Sequence, residues 1–230
     1  MCDAKSLLEE NFYESDFHDS VCHCTSCNRR VGATPAQPQA SAQPQNTSKC
    51  SLTPSQAPAI RGIKLGMSGE EILSLFPESN QKPEIKTVLE SSEGYPNYGL
   101  ARLYFQPAMY PLIAKDRFAG IDGIGVTLFD GRVAELQINY AGRASHPRGP
   151  SWPNVDDFIA KLSEVYSLPA ARDWRTVAQD YRVLECSGLS IEARTPNGTG
   201  SISLRGTKYF DTSRERAAED KDKIRREFKP

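Results

Sequence analysis

The sequence IRGIKLGMSGEEILSLFP, residues 60–77, decides where the folded part of the chain begins. Ser68 is followed three residues later by Glu71, the spacing of a capping box in which each side chain satisfies a free backbone N–H. Pro77 ends the pattern, because proline lacks a backbone donor and disfavours helix in the residue before it. The stretch predicts a short helix that packs on a sheet, preceded by a strand at residues 60–65.

Length and charge narrow the class of protein. A chain of 230 residues allows one domain or two small ones. The formal net charge of −1 argues against a general nucleic-acid binder, which would carry a basic excess. No run of the sequence approaches the roughly 18 apolar residues of a membrane span. Residues 1–14 also lack the basic-then-apolar pattern of a signal peptide, so a cytoplasmic location is expected if the given start is the natural one.

The cysteines are concentrated before the folded part. Five of the six lie at or before Cys50, and only Cys186 lies beyond it. A disulfide framework would staple the core, so this distribution argues against one there. We therefore expect Cys186 to be a small buried apolar side chain.

One cluster near the N-terminus has residue types that bind zinc, namely His18, Cys22, Cys24 and Cys27. Zinc needs about four such ligands in a tetrahedron, and Cys24-Thr25-Ser26-Cys27 supplies one C-x2-C pair. A second pair at ordered spacing is missing from the sequence. Three interpretations stay open: a structural zinc site, thiols that bind metal adventitiously or oxidise, and no role. No other cofactor is predicted.

The chain divides by composition. Residues 1–31 form the cysteine- and histidine-containing segment, and residues 32–58, rich in Pro, Ala, Gln and Ser, cannot bury enough apolar surface to fold and predict a linker. Residues 59–210 predict an α+β domain, with halves at 59–142 and 151–210. Residues 211–230 are nearly all charged and predict a solvent-exposed C-terminal helix.

Alternation of apolar and polar residues predicts strands in both halves. Residues 124–140 alternate around Asp130-Gly131, the preferred pair for a type I′ hairpin turn, with a bulge near Ala134. Residues 85–89, 100–105, 181–186, 189–194 and 201–205 predict further strands. Asn154 caps the strongest helix, residues 154–168, whose apolar residues keep a 3.6-residue spacing. The order of elements predicts two layers, with helices on one face of an antiparallel sheet, and suggests two tandem helix-plus-meander units.

Several aromatic residues lie close together in sequence between the first helix and the hairpin. Tyr95, Tyr98 and Tyr110 are the candidate interaction residues, because aromatics dominate interface hot spots. The competing interpretation, which we favour, is that these aromatics lie on the core side of the sheet.

The segment IKLGMSGEEI, residues 63–72, resembles the hydrophobic-x-x-Gly-Met-Ser/Thr-x-x-x-Val helix entry of the SmpA/OmlA outer-membrane lipoproteins and of β-lactamase-inhibitor-like domains. FDGRV, residues 129–133, resembles their hairpin. The resemblance implies helices packed on an antiparallel sheet, a bacterial source and a non-enzymatic binding role. If the given start is not the natural one, it also implies a location in the cell envelope or outside the cell. The chain lacks the lipobox of the lipoproteins and has a long insertion between helix and hairpin.

The sequence as a whole predicts a binding or scaffolding module with a protein partner. The folded part shows no phosphate loop, nucleophile elbow, Cys–His pair or paired metal-ligand motif, so an enzyme is the less favoured hypothesis. A zinc-dependent interaction arm on an inert domain is the other alternative.

Overall fold

A computed structural model describes residues 50–94, 97–142 and 150–228. Within these ranges the chain forms four α-helices and a seven-stranded antiparallel sheet, which confirms the α+β class. The helices are α1 (Gly69–Ser74), α2 (Pro83–Gly94), α3 (Val155–Tyr166) and α4 (Thr207–Glu227). The strands are β1 (Leu100–Phe105), β2 (Ile121–Phe129), β3 (Arg132–Tyr140), β4 (Arg175–Ala178), β5 (Tyr181–Glu185), β6 (Leu189–Arg194) and β7 (Ser201–Gly206).

The strand order across the sheet is β1-β2-β3-β7-β6-β5-β4. Two meanders, β1 to β3 and β4 to β7, therefore meet where β3 pairs with β7 at the centre. Strand residues that point to one face belong to a single apolar cluster, which α1 and α3 join through buried side chains such as Ile72 and Phe158. Because side chains alternate along a strand, the other face carries the intervening, mostly polar residues.

Helix α1 begins as its capping box predicts. The Glu71 N–H donates to Ser68 Oγ at 3.2 Å, and the Ser68 N–H donates to Glu71 Oε2 at 2.7 Å. These bonds from the Ser68 backbone and side chain lower the pKa of the Glu71 carboxyl. The residues just before the helix do not form the expected strand. Ile60 and Ile63 pair across a tight turn, which Arg61 and Gly62 form with positive φ angles.

The central hairpin matches its prediction in detail. Asp130 and Gly131 both adopt positive φ, as a type I′ turn requires. The register passes from Thr127 opposite Glu135 to Leu128 opposite Val133, so Ala134 is the extra residue of a bulge. Helix α3 also begins where predicted, with the Asp157 N–H donating to Asn154 Oδ1 at 2.8 Å.

Residues 85–89, predicted as a strand, lie instead inside α2. A short apolar run does not distinguish a strand from a buried helix segment. Pro83 stands at the first position of α2, where its fixed φ suits a helix start, and Ile85 is buried in the core.

The expectation for Cys186 is wrong, because Cys186 forms a disulfide with Cys50. The bond joins the chain ahead of the domain to the turn between β5 and β6, two positions 136 residues apart. Residues 50–58, which the composition assigned to the linker, contact the domain: Ala57 is buried, and Leu52 packs against the core. Spacing alone could not show this pairing, since it depends on the folded path of the chain.

Helix α4 begins four residues before the expected start at 211 and packs on the end of the central hairpin. The ring of Tyr209 lies 5.8 Å from that of Phe129, and Arg216 donates two hydrogen bonds of 2.8 Å to the carboxylate of Asp130. Tyr98 also contacts α4, because its hydroxyl donates a hydrogen bond to Asp220 of that helix. Desolvation of the hydroxyl and this hydrogen bond raise the pKa of Tyr98. Residues 221–228 are exposed.

Candidate binding face

The polar side of the sheet is the most distinctive surface of the described chain, and we call it the open face. Strand pairing aligns its residues in three rows that run across the strands. The first row holds Arg102, Thr127, Glu135, Arg205 and Ser190; the second holds Tyr104, Gly125, Gln137, Ser203 and Glu192; the third holds Asn139, Ser201 and Arg194. The rows bring together residues from both meanders.

Glu135 is the centre of the first row. Thr127 Oγ1 donates to Glu135 Oε2 at 3.0 Å, and Arg205 Nε donates to Glu135 Oε1 at 2.9 Å. The guanidinium of Arg205 lies 5.0 Å from the ring centre of Phe210 on α4, within the range of a cation–π contact. The carboxylate is therefore held by neighbours on both sides, and the arginine is held by the carboxylate and the ring.

A second ion pair lies on β6. Arg194 Nη2 donates to Glu192 Oε2 at 2.8 Å, and its guanidinium lies 4.0 Å above the ring centre of Tyr181. Desolvation and the hydrogen bond to Glu192 raise the pKa of the Tyr181 hydroxyl. The small side chains of Ser201 and Ser203 on β7 separate this pair from the Glu135–Arg205 pair.

Tyr104 gives the open face an exposed aromatic ring. The side chain is 55% exposed and crosses its neighbour strand β2 at Gly123. A Cβ atom built on Gly123 would clash with the Tyr104 hydroxyl oxygen, so the ring occupies the space that any larger residue would need. The glycine therefore leaves room for the ring to lie over β2.

The open face contains several hollows that are open to solvent. A hollow of about 140 Å³ lies between the two ion pairs, over Ser201 and Ser203. One of about 370 Å³ adjoins Tyr104 and Arg102, and one of about 390 Å³ lies between Arg205 and the start of α4. Arg205 lines all three. The arrangement offers hydrogen-bond donors, acceptors and one flat ring to a partner.

The structure describes two of the three predicted interaction residues, Tyr98 and Tyr110. Tyr110 is buried, and its ring contacts those of Phe76 and Phe105. Tyr98 donates a hydrogen bond to Asp220 on α4, and Tyr95 lies outside the described residues. The alternating polar residues of each strand indicated in the sequence that one face of the sheet is polar. The sequence did not indicate that β3 pairs with β7, which brings the polar residues of the two meanders together.

The four candidate zinc ligands, His18, Cys22, Cys24 and Cys27, also lie outside the described residues. Within residues 50–94, 97–142 and 150–228, no three His, Cys, Asp or Glu side chains are placed to hold a metal ion. None of the helices in these ranges is both long enough and apolar enough to cross a bilayer.

A second aromatic cluster lies at the opposite end of β3 from the hairpin turn. The ring of Phe158 is 5.7 Å from that of Tyr140 and 5.1 Å from that of Trp152. Burial, together with the neighbouring Tyr166, raises the pKa of the Tyr140 hydroxyl well above its ordinary value. These residues fill the space between α3 and the sheet, which is a packing role.

Comparison with protein-family models, with curated proteins and with solved structures finds no match to this chain.

Proposed function

We propose that the protein is a non-enzymatic binding module that holds a protein partner on the open face of its sheet. One observation carries the proposal: a continuous surface that spans both meanders and exposes an aromatic ring and three arginines. Reaction centres commonly occupy concave, largely apolar pockets, whereas protein interfaces are broad.

The composition of the open face supports this proposal. Tyrosine and arginine are the residue types enriched at interface hot spots, and Tyr104, Arg194 and Arg205 lie on adjoining rows. The ion pairs with Glu135 and Glu192 restrain the two arginines, which lowers the entropy lost when a partner binds.

Pull-down with the full chain as bait tests the proposal, followed by titration of the purified partner. Tyr104→Ala removes the exposed ring without removing a charge. Val165→Ala, at an exposed apolar residue of α3 away from the open face, is the matched control. We expect Tyr104→Ala to weaken binding about tenfold or more, as loss of a hot spot does, and Val165→Ala to leave it unchanged. Equal binding by both variants would refute the assignment to this face.

Two alternatives have their own tests. If a zinc-binding arm mediates the interaction, the purified chain contains about one zinc per molecule, and Cys24→Ser removes both the metal and the binding. If the protein is an enzyme, turnover of a small molecule is found with no saturable protein partner. Either result would displace the open face as the functional surface.

We also infer finer features of the fold and location. The buried side chains of α1 and α3 support two layers with these helices on the core face, and the two meanders support tandem helix-plus-meander units. That plan is consistent with kinship to the SmpA/OmlA and β-lactamase-inhibitor-like groups. The Cys50–Cys186 disulfide supports an oxidising compartment, in the cell envelope or outside the cell, since such bonds are rare in the cytosol.

A further inference from the structure

We propose that the partner presents an acidic protein segment, whose carboxylates bind Arg102, Arg194 and Arg205 on the open face. This inference rests on the proposed function and names the chemistry of the partner. It is carried by the depth at which the charges lie, by the hydrogen-bond donors that remain unused, and by the formal charge of the face relative to the whole chain.

The two members of each central ion pair lie at different depths on the open face. The side chains of Glu135 and Glu192 are 17% and 18% exposed, whereas those of their partners Arg205 and Arg194 are 43% and 52% exposed. Arg102, in the same row as Glu135, is also exposed. An approaching molecule therefore meets these guanidinium groups before it meets the carboxylates of Glu135 and Glu192.

The arginines keep donors for a ligand. Arg205 uses Nε and Nη2 on Glu135, and the structure records no hydrogen bond from its Nη1 to any described residue. Arg102 likewise has no hydrogen bond or ion pair to the part of the chain that the structure describes. A guanidinium group binds carboxylates in a planar, directional geometry, and such charge-assisted bonds are stronger than neutral ones.

The formal charge of the open face also favours an anionic partner. Three arginines and two glutamates give the three rows a charge of +1, while the chain as a whole carries −1. Glu185 of β5, opposite Ser190, extends the first row and is about half exposed, but it pairs with the equally exposed Arg175 of β4. The exposed charges of the face are therefore four arginines and one glutamate, a sum of +3. A surface of this kind attracts anionic partners, and the attraction weakens with salt because exposed charges are screened.

Calorimetric titration of the full chain with poly-L-glutamate and with poly-L-lysine of equal length tests the inference, at low and at physiological salt. We expect poly-L-glutamate to bind, more weakly as salt rises, and poly-L-lysine not to bind. Arg102→Gln and Arg205→Gln should each weaken binding about tenfold. Arg225→Gln, at an exposed arginine of α4 away from the open face, should change it less than about twofold.

Arg102→Gln keeps the test valid if Arg205→Gln disturbs folding, since Arg102 has no ion pair to lose among the described residues. Equal weakening by Arg225→Gln, or binding of poly-L-lysine, would overturn the inference. Tighter binding of heparin than of poly-L-glutamate would assign the face to a sulfated or nucleic-acid polyanion instead. If binding of a partner requires Tyr104 but is unchanged by Arg102→Gln and by salt, the proposed function stands and only this inference is refuted.

Discussion

Loss of the Cys50–Cys186 disulfide is the perturbation with the largest expected effect on stability. The bond constrains two positions 136 residues apart, so it removes much of the conformational freedom of the unfolded chain. The loop-entropy relation gives about 17 cal/mol/K for a loop of this size, or about 5 kcal/mol at 25 °C. Native disulfides in small domains contribute about 2–5 kcal/mol on removal, which sets the range we expect.

The assay is urea unfolding followed by far-UV circular dichroism, comparing the oxidised protein with a Cys50→Ser, Cys186→Ser double variant. The double variant avoids leaving a reactive free thiol. We expect its free energy of unfolding to fall by about 2–5 kcal/mol. Wild-type protein in excess reductant should show the same fall, if this bond accounts for the whole effect.

Two results would contradict this reasoning. A loss below about 1 kcal/mol in the double variant would mean that the bond constrains little in the unfolded chain. A further loss when reductant is added to the double variant would show that other cysteines also form a stabilising disulfide. Ala57 provides an independent check, because its amide should exchange faster with solvent once the segment is released.

Two smaller effects follow from helix α1 and from the docking of α4. Ser68→Ala should cost about 0.5–2 kcal/mol in urea unfolding, because it removes the acceptor for the Glu71 N–H, and Ser68→Asp should restore most of the loss. Arg216 lowers the pKa of Asp130, so this ion pair stabilises the fold above the ordinary carboxyl pKa and is lost as the pH falls through the lowered one. Asp130→Asn should therefore cost at most about 1 kcal/mol at pH 7, since both side chains are half exposed. It should also reduce the acid-induced loss of stability, and an unchanged acid profile would contradict the assigned cause.

Local signals in the sequence predicted the local structure well. The cap at Ser68, the turn at Asp130 and Gly131, and the bulge at Ala134 each depend on neighbouring residues, and each is confirmed. The helix cap at Asn154 is another local feature that the structure confirms. Such features could be predicted because the residues that cause them lie within a few positions of one another.

Features set by distant residues could not be predicted in this way. The run at residues 85–89 has apolar residues that suit either a strand or a helix, and its packing against the domain decided the outcome. β4 is a short edge strand in which all four residues are exposed, so it lacks the alternation that marks a half-buried strand. The partner of Cys186 and the neighbours of Arg205 depend on which strands become adjacent.

The junction of β3 and β7 has a consequence for the order of folding. Each meander pairs strands that are close in the chain, whereas Glu135 and Arg205 are 70 residues apart. Contacts between distant residues carry the larger loop-closure cost and tend to form late. We therefore expect the open face to be completed near the end of folding, so that a partially folded molecule cannot yet bind the proposed partner.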